Sequence, residues 1–178
     1  MLTLSQSIFK AYDIRGIIGK TLDADVARDI GRAFGSAVRA KGEQVVVLGR
    51  DGRLSGPELS TALAEGMQSV GIDVVDLGVV ATPMVYFGTH VLDTQSGIMV
   101  TGSHNPPDYN GFKMVLAGEA IYGDTIQALY QAIVNKTFAE GKGSYRSYDI
   151  ADAYQKRIVS DVKPVSYTHL TLPTTPYV

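Results

Sequence analysis

The sequence predicts an α/β fold: a mainly parallel, doubly wound sheet with helices on both faces. Three observations carry that expectation. Residues 45–48, 72–77 and 97–101 are short, nearly continuous apolar runs, the pattern of strands buried on two sides. Stretches with helical spacing of apolar residues separate them, as successive βα units require. The 178 residues are 45% apolar and include no cysteine, enough for one core without a disulfide or metal staple.

Taken in order, Val26, Ile30, Phe34, Ala37 and Val38 share one face of a helix from residue 23 to about residue 41, and Gly42 is placed to end it. The strand over 45–48 follows. Ser55 and Glu58 have capping-box spacing, Pro57 falls in the first turn, and Leu59, Leu63, Met67 and Val70 form the buried stripe of a second helix closed by Gly71. After the strand over 72–77, Thr82-Pro83 reads as an N-cap and a proline opening a third helix. That helix is expected to bury Val85, Phe87 and Val91 and to stop before Thr94. The strand over 97–101 leads into residues 105–111, dense in turn formers, where Asn110-Gly111 suggests a tight hairpin turn before a strand over 112–116. Helical spacing returns at Ile126, Leu129 and Ile133, and again at Ile150, Tyr154, Ile158 and Val162, with residues 141–144 (GKGS) as a flexible joint between. The organisation expected is one domain over 1–150 and a connector helix over 151–165. Residues 166–178 have two prolines, four threonines, no formal charge and no period, and read as a non-native end.

Charge excludes several function classes. With 16 basic and 18 acidic side chains the net charge is -2, so no global field draws the chain to nucleic acid or an anionic membrane. Any anion must be held by a local site. Residues 1–7 lack the basic start and long apolar run of a signal peptide, and no apolar stretch approaches the ~20 residues that span a bilayer, so a cytoplasmic protein is expected. The glycosylation sequon at Asn135-Lys136-Thr137 is set aside on that ground. The sequence sets no oligomeric state.

The segment that carries chemistry is Thr101-Gly102-Ser103-His104-Asn105-Pro106-Pro107, which follows a buried strand at its carboxyl end, where doubly wound sheets place ligands. Gly102 leaves room for a phosphate beside the backbone, Ser103 offers a hydroxyl that can be esterified, His104 and Asn105 add polar groups, and two prolines stiffen the loop. Rigidity suits phosphoryl transfer, where positioning dominates. The same residues also suit a plain turn capped by Ser103 and Asn105 with an exposed His104.

Two look-alike signals are refused. Residues 16–21 imitate a phosphate-binding P-loop, but the first required glycine falls at Ile14. Residues 49–56 are glycine-rich between a strand and a helix, yet their spacing is not that of a dinucleotide fingerprint, and Arg50 and Arg53 intrude. Arg50, Asp51 and Arg53 are expected to form an ion network closing that turn, with Arg53 able to face the cleft.

Residues 101–113 (TGSHNPPDYNGFK) resemble the phosphoserine loop of the α-D-phosphohexomutases, most closely the bacterial phosphomannomutase/phosphoglucomutase branch. Residues 9–16 (FKAYDIRG), residues 49–56 (GRDGRLSG) and Ala81-Thr82-Pro83 are similar to further segments of the family and lie in its order. The resemblance covers residues 8 to about 165 and implies the first of four domains, with 151–165 leading toward a second. It implies reversible transfer of phosphate between C6 and C1 of a hexose, mannose or glucose 6-phosphate against the 1-phosphate, through a phosphoserine and a hexose 1,6-bisphosphate. Ser103 then carries the phosphoryl group and is a partial ligand of Mg²⁺, whose other ligands belong to the second domain. Arg15 is implied in electrostatic stabilisation, Lys113 in acid/base or charge work, and His104 and Asn105 in hydrogen bonding near the phosphoserine or substrate. Tyr12 either lines the cleft or is a core tyrosine, and Arg15 without that context pairs with Asp13 at the surface. The competing expectation is a noncatalytic sugar-phosphate binding module, since this segment on its own lacks the family's aspartate loop.

Overall fold

The computed structural model describes residues 2–163; the expected non-native end over 166–178 lies outside them, as do residues 164 and 165 of the connector. After a 3-10 turn at Gln6–Ile8 the chain forms β1 (Ile14–Ile17), α1 (Ala24–Ala40), β2 (Val45–Arg50), α2 (Gly56–Ser69), β3 (Asp73–Val79) and α3 (Thr82–Val91). Then come β4 (Gly97–Val100), β5 (Tyr109–Leu116), β6 (Glu119–Ala120), α4 (Asp124–Val134), β7 (Tyr145–Ser147) and α5 (Ala151–Asp161). All seven strands join one sheet in the order β1-β5-β4-β2-β3-β7, with β6 paired to β5. Strands β4, β2, β3 and β7 run parallel, while β5 pairs antiparallel with β4, β1 and β6.

Alternation along β2 shows how the sheet is covered. Val46 and Leu48 point into a core shared with Ile30 and Phe34 of α1, Leu63 and Met67 of α2, and Ile126 and Leu129 of α4. Val47 points the other way, against Val85 of α3 and Ile150 ahead of α5. Helices therefore lie on both faces, and the doubly wound expectation holds. Each fully buried leucine or isoleucine contributes roughly 1.5–3 kcal/mol by leaving water.

Topology brings two strand ends together. From β2 the chain moves outward through α2 to β3, then crosses back through α3 to β4 on the other side of β2. The loops leaving β2 and β4 depart from adjacent strands at the same end of the sheet, with Arg50 opposite Val100.

Several local expectations are corrected. Asn110-Gly111 is not a hairpin turn but lies within β5, opposite Gly16 and Arg15 of β1. A Cβ at Gly111 would stand 2.1 Å from the Ile14 carbonyl oxygen, so the glycine serves close strand approach rather than reversal. The capping box does not form, because Ser55 makes no side-chain cap bond and its hydroxyl instead accepts from Asn110 Nδ2 at 2.9 Å. Thr82 lies inside α3, capped by the backbone of Ala81, and Val91 is 47% exposed at the far end of that helix. Gly42 and Gly71 do end α1 and α2, both at positive φ.

Residues 141–144 are not a flexible joint. Arg39 donates to the Glu140 and Val70 carbonyls at 2.7 and 2.9 Å, and the Gly143 N–H donates to Gln68 at 2.8 Å. A Cβ on Gly143 would stand 1.9 Å from the Ile72 carbonyl oxygen, so glycine here permits contact rather than motion. The segment lays β7 alongside β3, an edge strand too short and too polar to show in the hydrophobic pattern. Helix α5 buries none of its own residues, although Tyr154 meets the Phe87 ring edge-on at 5.5 Å.

The Ser144 hydroxyl and amide both donate to Asp73 Oδ1, at 2.7 and 2.6 Å, and these bonds hold the Asp73 carboxyl below its ordinary range. A depressed carboxylate pKa contributes stability above the unfolded value, and that contribution is lost as pH falls through the lower folded value. The gap in urea midpoint between the wild type and Asp73→Ala is therefore expected to narrow below about pH 4. A gap that stays constant down to pH 2 would show that the charge of Asp73 has no part in docking β7.

Candidate functional site

The Ser103 loop stands where β4 ends, and its shape is set from the neighbouring strand. Asp51, the residue after β2, donates its N–H to the Val100 carbonyl at 3.0 Å, which fixes the two strand ends together. Its Oδ2 accepts from the Thr101 hydroxyl at 2.8 Å and from the Gly102 N–H at 3.2 Å. The Thr101 hydroxyl oxygen in turn accepts the Ser103 N–H at 2.9 Å. Asn105 closes the turn, its amide nitrogen donating to the Gly102 carbonyl at 2.8 Å.

Arg53 holds the other side of the loop. One terminal nitrogen of its guanidinium donates to the carbonyls of Pro106 and Tyr109 at 2.7 and 2.9 Å; the other donates to those of Ser103 and Asn105 at 3.0 and 2.7 Å. The space beside Gly102, expected to receive a phosphate, is filled by this group: a Cβ there would stand 2.1 Å from Arg53 Cζ. The expected network of Arg50, Asp51 and Arg53 is likewise divided. Arg53 Nε approaches Asp51 Oδ2 at 3.7 Å, while Arg50 turns to Asp76 at 3.5 Å on the far side of β2.

Ser103 emerges from this scaffold exposed, with φ 51°, the left-handed region that a serine enters at a cost on the order of 1 kcal/mol or more. Its Oγ lies 3.3 Å from Nδ1 of His104, also exposed. The cationic groups come from the strands behind. Arg15 on β1 donates to Asn105 Oδ1 at 3.2 Å and to Asp13 Oδ2 at 2.5 Å. Lys113 on β5 approaches the same Asp13 oxygen at 3.9 Å, because the antiparallel register places Ile14 opposite Phe112 and so brings Asp13 abreast of Lys113. One arm of the Arg15 guanidinium takes Asp13 and the other Asn105, so the expected pair with Asp13 forms and lies partly buried behind the loop.

Ser103, His104, Asn105, Arg15 and Lys113 are thus gathered by a continuous set of contacts. Tyr12 is not: it is 78% exposed in the bend before β1, which excludes the core alternative and leaves its ring facing solvent. Asp13, Asp51 and Arg53 complete these contacts; the sequence allows Arg53 toward the cleft but does not mark Asp13 or Asp51 for the site, and the pairing of β2 with β4 and of β1 with β5 puts them there. A depression of about 480 Å³ opens beside the loop, lined by Asp51, Arg53, Leu54, Ser103, Asn105 and Pro107 among others. Three cationic side chains face two carboxylates here, a local excess of positive charge within a chain of net charge -2.

Such a site suits an anion attached to Ser103 more than a free metal ion. Among the described residues no group of three or more metal-binding side chains comes together. Asp51 and Asp13 already accept from Thr101, Gly102 and Arg15, so the residues present do not fit Mg²⁺ as a complete ligand set.

Residues 6–140 match the family model described as phosphoglucomutase/phosphomannomutase, alpha/beta/alpha domain I. The chain is 52% identical over 160 residues to a phosphomannomutase/phosphoglucomutase of Pseudomonas aeruginosa, covering 90% of this chain and 35% of that protein. It is 49% identical over 165 residues to a phosphoglucomutase of Neisseria gonorrhoeae, covering 92% of this chain and 36% of that one. A crystal structure of a phosphoglucomutase/phosphomannomutase family protein from Burkholderia thailandensis superposes with a TM-score of 0.88 at 64% identity, over 90% of this chain and 37% of the other. The chain spans about a third of the length of the curated relatives it matches.

Asp13 is the anion that keeps Arg15 and Lys113 in place, and its side chain is only 11% exposed. Asp13→Asn leaves two cations side by side without a counter-charge and is expected to lower unfolding stability by roughly 1–3 kcal/mol, read from urea denaturation. An unchanged midpoint would mean that the two cations are positioned by packing alone.

Proposed function

The chain belongs to the phosphoglucomutase/phosphomannomutase family, and from that premise we propose that it is the phosphoserine-bearing part of an intramolecular phosphotransferase acting on hexose phosphates. The observation that carries the proposal is Ser103 itself: an exposed hydroxyl held at φ 51° by Asp51, Thr101 and Arg53, on a loop whose Asn105 accepts from Arg15, with Lys113 joined to Arg15 through Asp13. In this reading phosphorylated Ser103 gives its phosphoryl group to a free hydroxyl of mannose or glucose monophosphate. The Ser103 Oγ–P bond breaks as the sugar O–P bond forms, and the proton of the attacking hydroxyl passes to a neighbouring base. The resulting hexose 1,6-bisphosphate reorients and returns its other phosphate to Ser103 Oγ, so the sugar leaves with its phosphate moved between C6 and C1.

Roles follow from chemistry and place. Phosphoserine brings about -1.5 to -2 charge at neutral pH. Arg15 is proposed to stabilise that charge and its redistribution during transfer, the fork of the guanidinium matching phosphate oxygens. Lys113 is proposed as the acid/base or second cation, and His104, 3.3 Å from Ser103 Oγ, as a hydrogen-bond partner of the phosphoryl group or sugar. Asn105, from the loop, and Tyr12, from the exposed bend before β1, are proposed to contact the substrate. Mg²⁺ is the proposed cofactor, with an oxygen on phosphorylated Ser103 as this segment's single ligand and the remaining ligands supplied by a further domain of the complete enzyme. Helix α5 is proposed as the connector to that domain. No helix among the described residues is long and apolar enough to cross a membrane, and we place the enzyme in the cytoplasm with its sugar-phosphate substrates.

Incubation of the complete enzyme with glucose 1,6-bisphosphate and Mg²⁺ is expected to leave one phosphate on Ser103, located by peptide mass mapping. Ser103→Ala is expected to lose that label and to reduce mutase turnover by roughly 10³-fold or more. Failure of the wild type to take phosphate would favour a noncatalytic sugar-phosphate binding module.

A further inference from the structure

We infer that Arg53 is the positioning residue of this site: its guanidinium sets the backbone at Ser103, and with it the direction in which Oγ presents a phosphoryl group. The inference rests on the phosphotransfer reading above and adds a residue that touches neither sugar nor phosphate in that reading. All four terminal N–H bonds of Arg53 are spent on loop carbonyls, those of Ser103, Asn105, Pro106 and Tyr109. Nε is left facing Asp51 at 3.7 Å. No donor remains for a substrate, so Arg53 acts through the loop.

The need for such a group follows from the loop's own geometry. Carbonyl oxygens drawn together beneath a residue that will carry a dianion repel one another and the phosphate alike. A planar cation placed among them neutralises both repulsions while fixing the angle between them. Ser103 sits at positive φ without being glycine, so its conformation must be imposed from outside. It is gripped from two directions: its N–H is taken by Thr101, which Asp51 orients, and its carbonyl is taken by Arg53. Both of those carboxylate and guanidinium anchors come from the turn after β2, three residues long from Asp51 to Arg53, and Asp51 also accepts the Arg53 N–H at 3.1 Å. Glycine at 102 is explained by the same contact, since any side chain there would displace the guanidinium. Lysine cannot replace this arrangement. Its ammonium presents three donors from one point and does not span the carbonyl pairs.

The test uses Arg53→Lys, which keeps the charge, and Arg53→Ala, which leaves a gap. In the isolated chain, amides 102–105 of Arg53→Lys are expected to exchange with deuterium at least tenfold faster than in the wild type, while β2 and α1 keep their protection. In the complete enzyme the same variant is expected to lose about 100-fold in kcat, with KM for the sugar phosphate changed less than threefold. Ethylguanidinium is expected to restore part of the Arg53→Ala rate, and ethylammonium to restore none. Unchanged loop exchange in Arg53→Lys overturns the inference, as does a loosened loop with undiminished kcat. Equal rescue by the two cations overturns it too, by showing that charge alone suffices. A wild-type enzyme that never carries phosphate on Ser103 sinks the phosphotransfer reading instead, and the exchange experiment, which needs no turnover, still decides whether Arg53 sets the loop.

Discussion

The parallel pairing of β2 with β4 is the constraint on which the site depends. Register places Arg50 opposite Val100, and the Asp51 N–H to Val100 carbonyl bond carries that pairing one residue past the sheet. From there the two loops are chemically complementary. Asp51 offers a carboxylate to the hydroxyl and N–H groups at the start of the Ser103 loop, and Arg53 offers four donors to the carbonyls of its remainder. A shift of one residue between β2 and β4 would turn their side chains to opposite faces and remove both anchors together.

Strain at Ser103 and the charge near its loop come from different groups. A left-handed serine is unfavourable by itself and persists because surrounding groups over-determine it. The other cations near the loop, Arg15 and Lys113, are a separate set that comes from β1 and β5. The site departs from the balance of the whole chain, and it does so by arranging a few side chains rather than by raising the basic content: Arg15 and Lys113 share the Asp13 carboxylate, and Arg53 is engaged with backbone. Partial neutralisation by Asp13 limits the repulsion between two nearby cations. Because the groups are partly shielded from solvent, their mutual interactions are stronger than those of free surface pairs.

The two edges of the sheet show a different use of polar groups. At β7 the Asp73 carboxylate and the close approach of Gly143 to Ile72 dock a short strand with no buried side chain of its own. Burial first and the Asp76 carboxylate second push the Tyr145 hydroxyl above its ordinary range, while that hydroxyl donates to Asp76 at 2.5 Å. At β1 the strand is only four residues long, and Gly111 lets β5 come against it closely enough to bring Arg15 over the loop. β7 is held by specific hydrogen bonds rather than apolar burial, while β1 also buries Ile14 in the core; both are too short to stand out as hydrophobic runs.

What the sequence determined by itself was everything that follows from local periodicity and local chemistry. The apolar runs of β2, β3 and β4 and the stripes of α1, α2 and α4 are legible because burial on fixed faces imposes a spacing. The loop from Thr101 to Pro107 was legible as a candidate site because its residue types and its place after a strand are written consecutively. Tertiary structure alone decided the caps of α2 and α3, the strand at Asn110 and Gly111, and the packing of residues 141–144, where a distant partner outweighs the local preference. It also decided that Arg53 belongs to Ser103 and Arg50 does not. The two arginines differ by three positions in the chain, and only the strand order, a property of nonlocal pairing, tells which one meets the loop from β4.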